Sequence, residues 1–277
     1  MKILMCGDVV GRTGRNSLKQ HIPQLRPKVD FVIVNADNAA HGFGLSPTIL
    51  NDLFDLGVDV VTGGNHLFDQ KEILPILSKE KRLLRPDNMS PKISGSGVFA
   101  TKDKSGRYIV VIHLAGQHNM SISTNNPFNH VDEILKKYQL GANASAIAVD
   151  FHAEATSEKN ALGHYLDGRV SLVVGTHTHI PTADYRVLPN GTAYQTDLGM
   201  CGDYDSVIGM EKTNCIERFV KGYNASKINP AVHDATFCGL VADIDDATGL
   251  AKSVTFLCRD GSLKNKAIDT TPDLSLS

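Results

Sequence analysis

Ile3-Leu4-Met5-Cys6-Gly7-Asp8-Val9-Val10-Gly11, residues 3–11, is an apolar β-like run that breaks at a glycine and delivers an aspartate. Four further stretches repeat the plan. Phe31-Val32-Ile33-Val34 precedes Asp37 and Asn38, and Val58-Asp59-Val60-Val61 precedes Asn65 and His66 after Thr62 and two glycines. Ala146-Ile147-Ala148-Val149 precedes His152, and Leu172-Val173-Val174-Gly175 precedes His177 and His179. In an open α/β sheet, ligands bind in the crevice beyond the carboxyl ends of the strands. These residues are therefore expected to converge, although most of the chain separates them. Carboxylate and amide oxygens mixed with imidazole suit a divalent transition-metal centre, and an aspartate shared between two ions suits a two-metal site.

The surrounding chain is consistent with a layered α/β protein. After Gly14 a helix is expected to run to Gln24. Ser46-Pro47 reads as an N-cap and first turn, opening a helix to about Leu56, and a third helix is expected over roughly Asp69–Ser78. Later the pattern changes. Gly97–Thr101 with Arg107–Leu114, Tyr185–Leu188 with Thr192–Thr196, and Thr236–Ile244 with Ala251–Cys258 each flank a polar turn and read as hairpins. Crossovers mixed with antiparallel pairs predict two facing mixed β-sheets flanked by helices. One domain is expected over residues 1–264, with a loose polar tail over 265–277.

Composition removes several classes of function. A net charge of −2 carries no basic arm for nucleic acid. No apolar run approaches the roughly 20 residues that span a bilayer, and the first residues lack the charged and apolar regions of a signal peptide. The five cysteines lack CxxC spacing, so structural thiols in a reducing cytoplasm are the expectation. Gly11-Arg12-Thr13-Gly14 lacks both the lysine of a P-loop and the glycine spacing of a dinucleotide fingerprint. The apolar hairpins offer a homo-oligomer interface, but nothing in the sequence counts subunits.

Each motif has a plainer explanation. Asp8 in a glycine-flanked turn suits a helix cap. Gly64-Asn65-His66 suits an Asn-stabilised turn, although an amide and an imidazole exposed side by side at a sheet edge have little packing value. Gly175-Thr176-His177-Thr178-His179 is the strongest local signal. Continued strand geometry would turn both imidazoles to one face, whereas a loop would let them straddle two ions. Asp150 and Glu154 flank His152, and such carboxylates commonly orient a ligating imidazole. Asp203 and Asp205 read as a solvated turn. His113, His118, His130 and His164 read as structural or surface residues, with His118 in a polar loop able to face substrate.

Taken in order, Asp8, Asp37-Asn38, Gly64-Asn65-His66, His152 and Gly175–His179 resemble the calcineurin-like metallophosphoesterase superfamily. Adding Asn38–Gly42, Arg85-Pro86-Asp87-Asn88 and Asp150–Lys159 makes the chain similar to the bacterial YmdB-type phosphodiesterases, to about Cys258. The resemblance implies a four-layer sandwich, an iron or manganese pair, and hydrolysis of cyclic nucleotides, 2′,3′-cyclic ones first. Carried over by position, Asp8 and His179 would bind one ion, with Asn38 at hand. Asn65, His152 and His177 would bind the other, and Asp37 would bridge. Two departures stand out. Val10 occupies the place of the superfamily's second ligand, as in the YmdB-type group. Asp37 stands where that group usually has glutamate.

Two ions roughly 3.5–4 Å apart can clamp the attacking and leaving oxygens of an in-line displacement, with a bridging hydroxide as nucleophile. The leaving alkoxide still needs a proton. His66 is the candidate donor, because an imidazole titrates near working pH. The rival readings are a phosphomonoesterase, nucleotidase or amidohydrolase, and a regulatory metal-binding protein with weak activity.

Overall fold

The computed structural model describes residues 1–223 and 227–263. In chain order its strands are β1 (Lys2–Cys6), β2 (Asp8–Val9), β3 (Phe31–Asn35), β4 (Val60–Thr62), β5 (Leu83–Leu84), β6 (Val98–Lys102), β7 (Tyr108–Ala115), β8 (Ala146–His152), β9 (Leu172–Thr176), β10 (Arg186–Val187), β11 (Ala193–Gln195), β12 (Met200–Asp203), β13 (Ala235–Ile244) and β14 (Ala251–Arg259). The helices are α1 (Gly11–Leu25), α2 (Pro47–Asp55), α3 (Leu74–Leu77), α4 (Pro127–Leu135), α5 (Thr156–Tyr165) and α6 (Lys212–Lys221). One sheet runs β2-β12-β13-β1-β3-β4-β5, with β14 added to β13, and the other runs β10-β11-β9-β8-β7-β6. Both are mixed. β1 is parallel to β3 and antiparallel to β13, while β7, β8 and β9 are parallel and β6 is antiparallel to β7.

The layering follows from side-chain alternation along the strands. On β1, Ile3 and Met5 join Ile33, Ile109, Val111, Ala148 and Val174 in the core between the two sheets. Leu4 and Cys6 turn the other way, into a second core with Leu18 and Ile22 of α1 and Leu50 and Leu53 of α2. On the far sheet, Val110, Ile112, Ile147 and Val149 pack on Val131 and Ile134 of α4 and Leu162 of α5. Helix, sheet, sheet and helix thus stack in four layers. Their central strands are apolar throughout because both faces are covered.

The three expected hairpins form as β6/β7, β10/β11 and β13/β14. Ser46 caps α2 as expected, its hydroxyl oxygen accepting from the Ile49 N–H at 3.4 Å. The helix expected over Asp69–Ser78 is a correction. Leu67–Asp69 and Lys71–Ile73 are separate 3-10 turns, and only Leu74–Leu77 is α-helical. Extended Gln70 (φ −98°, ψ 105°) interrupts them, and its side-chain amide donates to the Phe43 carbonyl. A tertiary contact thus overrides the local helical pattern. Asp203 is buried rather than solvated, clasping the Asp205 and His233 N–H groups. The tail expected over 265–277 lies outside the described residues.

Candidate metal centre

All seven expected donor residues meet where the parallel strands of both sheets end. Asp8 opens β2; Asp37 and Asn38 follow β3; Asn65 follows β4. His152 closes β8, and His177 and His179 follow β9. The strand ends at Thr176, and His177 (φ 101°) and His179 (φ 66°) have left-handed backbones. The loop arrangement therefore holds, and it sends the two imidazoles to different neighbours. Asp197 secures this loop by accepting from the Thr178 N–H and hydroxyl at 3.1 and 2.7 Å and from buried Lys159 at 2.6 Å.

Hydrogen bonding decides what the imidazoles offer. His152 Nδ1 lies 2.9 Å from the Thr176 hydroxyl, whose own proton goes to Asp150 at 2.8 Å. Nδ1 must therefore be the donor, which leaves Nε2 with a lone pair. That nitrogen faces Asn65 Oδ1 at 3.0 Å, His177 Nδ1 at 3.1 Å and Asp37 Oδ2 at 3.3 Å. His177 donates through Nε2 to Glu154 at 3.2 Å, so its Nδ1 is bare too. His179 donates through Nδ1 to the Ile208 carbonyl at 2.8 Å, and its Nε2 faces Asn38 Oδ1 at 3.2 Å. The Asn38 amide nitrogen donates to the Gly42 carbonyl, which fixes the oxygen as the facing atom. Asp8 Oδ2 accepts from the His177 N–H at 3.0 Å, while its Oδ1 is buried without a partner.

Lone pairs thus face lone pairs, an arrangement that needs a cation between them, either a proton or a metal. Two donor atoms about 2.1 Å from one ion, set at right angles, lie about 3 Å apart. The contacts above have that spacing, and the donors are the oxygens and imidazoles of a borderline or hard divalent ion. Among the described residues, no three His, Cys, Asp or Glu side chains alone surround a metal position. The groups that meet include the amide oxygens of Asn38 and Asn65.

The titration behaviour agrees. Burial, then repulsion from His152, holds the His177 imidazole down to about 2, and burial lowers His179, so both rings stay neutral as ligation requires. Burial and then Asp197 raise Asp8 well above the usual carboxylate range, the mark of an anion lacking its countercharge. Burial also pushes Asp37 upward, but contacts with His152 and His66 outweigh it and leave that carboxyl low.

His66 stands apart. Its backbone N–H donates to both Asp37 oxygens at 3.0 and 3.1 Å, while its ring contacts Asp69 through Nδ1 at 2.8 Å. It borders a cavity of about 370 Å³ shared with His177, His179 and Asn38. His118 is absent from that lining, and its N–H donates to Glu158. His113 lies buried between the Asp150 and Gly63 carbonyls, and His130 pairs with Asp87. Thr176, Asp197 and the Ile208 carbonyl had no role in the sequence reading. Thr176 lies inside the strongest motif, but nothing in the sequence signals the other two.

Two facing mixed sheets with carboxylates, amides and imidazoles at adjoining strand ends define the metallophosphoesterase class of hydrolases. The chain belongs to the YmdB-like protein family, whose model matches residues 4–257. It is 43% identical over 256 residues to the 2′,3′-cyclic-nucleotide 2′-phosphodiesterase of Bacillus subtilis (strain 168), spanning 92% of this chain and 95% of that one. A solved hypothetical protein from Thermus thermophilus superposes with TM-score 0.88 at 37% identity, over 95% of this chain and 100% of that one. A solved phosphatase from Mycoplasma pneumoniae gives 0.87 at 35%, over 94% and 93%. No helix among the described residues is long and apolar enough to cross a membrane.

Proposed function

We propose that this chain is a two-metal phosphodiesterase that opens 2′,3′-cyclic nucleotides, with His66 protonating the departing oxygen. The observation that carries the metal centre is the meeting of bare imidazole nitrogens with oxygen acceptors around His152 and His179. His179 and Asn38 face each other, and with Asp8 they would hold one ion. His152, His177 and Asn65 would hold the second, and Asp37 would bridge. The donor set contains no thiolate and suits iron or manganese. When bound, the ions supply a nucleophile at neutral pH and neutralise charge on the phosphoryl oxygens.

The protein's own groups do the rest. Thr176, Glu154 and the Ile208 carbonyl fix which nitrogen of each imidazole faces inward. Asp69 takes His66 Nδ1, leaving Nε2 of this cavity-lining ring as the nitrogen to serve the substrate. Phe43 meets the His66 ring edge-on, with ring centres 5.0 Å apart, and limits its rotation. The similarity to the Bacillus subtilis enzyme supports the substrate class.

The test separates metal binding from chemistry. His66→Ala should keep its metal and lose about 10²–10⁴ in rate on a cyclic nucleotide. The loss should shrink with a p-nitrophenolate leaving group, which departs without protonation. His177→Ala should lose metal and activity together. A metal-free His66→Ala protein, or an equal loss on good and poor leaving groups, would remove His66 from the general-acid role.

A further inference from the structure

α6 closes one side of the cavity that opens on His66, His177 and His179, contributing Cys215, Arg218 and Phe219 to its lining. Cys215 is the one buried residue of this helix and packs with Val10, Met200 and Met210. Phe219 is 79% exposed, an apolar ring left in water at the cavity wall. Ile208, in the same lining, is 49% exposed. Arg218 is the lining's one cationic side chain apart from the histidines, and among the described residues its guanidinium makes no hydrogen bond or ion pair. The lining thus combines atoms that seek cations with an aromatic ring and a guanidinium from α6. Its volume of about 370 Å³ falls within the roughly 300–1,000 Å³ of small-molecule sites. The ligand matching this lining carries an anionic group together with a flat π-system.

Resting on the nucleotide reading above, we propose that Phe219 is the platform on which the nucleobase stacks, and that Arg218 holds the phosphate-bearing end. Every base has a π-face, so a phenyl platform accepts any of them, whereas a guanidinium fork matches a phosphate. α6 is held by buried Cys215, by the Asn214 amide donating to the Lys227 carbonyl and by the Lys212–Asp205 pair, and not by Phe219. Truncating Phe219 therefore removes contact with ligand and little packing.

The experiment measures calorimetric binding of adenosine 3′-monophosphate and of ribose 3-phosphate to the metal-loaded protein. Wild type should bind the nucleotide more tightly than the sugar phosphate. Phe219→Ala should weaken the nucleotide about tenfold and leave the sugar phosphate unchanged, while Phe219→Tyr should retain both. Arg218→Ala should weaken both ligands alike. The proposal fails if wild type binds the two ligands equally, or if Phe219→Ala weakens both or neither. The last result, with a changed sedimentation coefficient, would make the ring part of a contact between copies. Turnover of a 2′,3′-cyclic nucleotide is scored separately, so absent turnover with intact base-dependent binding overturns the reaction and not this pocket.

Discussion

Gly64 shows how little room the centre leaves. A Cβ there would sit 2.1 Å from both Cδ2 and Nε2 of His152, inside the ring that offers its lone pair to the cluster. Gly64→Ala must therefore push His152 away, and the expected outcome is loss of metal from a chain that remains folded, read by metal analysis beside circular dichroism. Asp37 is constrained in a different way. Both its oxygens accept the His66 N–H, and one also faces His152. Asp37→Asn should weaken both ion sites, because a neutral amide bridges cations poorly. Asp37→Glu should keep them, since the resembling family usually carries glutamate there. Full metal content in Asp37→Asn would contradict the bridge. Val10, in the place of the superfamily's second ligand, packs with Met200, Met210 and Cys215 beneath α6, so that position supports the cavity wall instead of the ions.

The end of β9 carries the next constraint. Thr176 closes the strand, accepts from His152 and donates to Asp150, which also receives the Thr62 hydroxyl and the Asn35 amide. Thr176→Val keeps the shape but removes the acceptor that holds His152 Nδ1–H, freeing the ring to present either nitrogen. A loss of about 10–100-fold in metal affinity is expected, with the fold retained, and titration of the metal-free protein would read it. Strands, hairpins and the convergence of the seven strand-end residues were legible in the sequence because buried β runs and glycine turns mark themselves locally. The third helix was not, because Gln70 leaves the helical pattern to reach the Phe43 carbonyl, a partner distant in sequence. For the same reason Asp203 reads as a solvated turn residue but is buried against His233, and Asp197 carries no motif although it clamps the His177–His179 loop. Tautomers are likewise invisible in a sequence, since each depends on which group lies behind the ring.

The centre joins the two sheets. Asp8, Asp37, Asn38 and Asn65 come from the ends of one, and His152, His177 and His179 from the other, so a bound ion would add to the apolar packing and the Asn35, Thr62 and His113 hydrogen bonds that join the layers. Metal that binds only the folded chain stabilises it by mass action, about 4 kcal/mol when free metal exceeds its dissociation constant 1,000-fold. For a chain of this size each kcal/mol moves the melting temperature by about 2–4 °C, so loading should raise it by roughly 10 °C. The pH dependence has a definite sign. In the metal-free protein the Asp8 carboxyl titrates well above its unfolded value, because of burial and then Asp197. A group raised in this way contributes its full stability below the unfolded carboxylate range, and the contribution is lost as pH rises through the folded value. The metal-free chain therefore weakens as Asp8 ionises, while a bound ion would give that same anion its countercharge. The gap between loaded and metal-free melting temperatures should be wider at about pH 8 than at about pH 5. His66→Ala should keep that gap and His177→Ala should lose most of it, and a pH-independent gap in wild type would show that Asp8 does not face the ion.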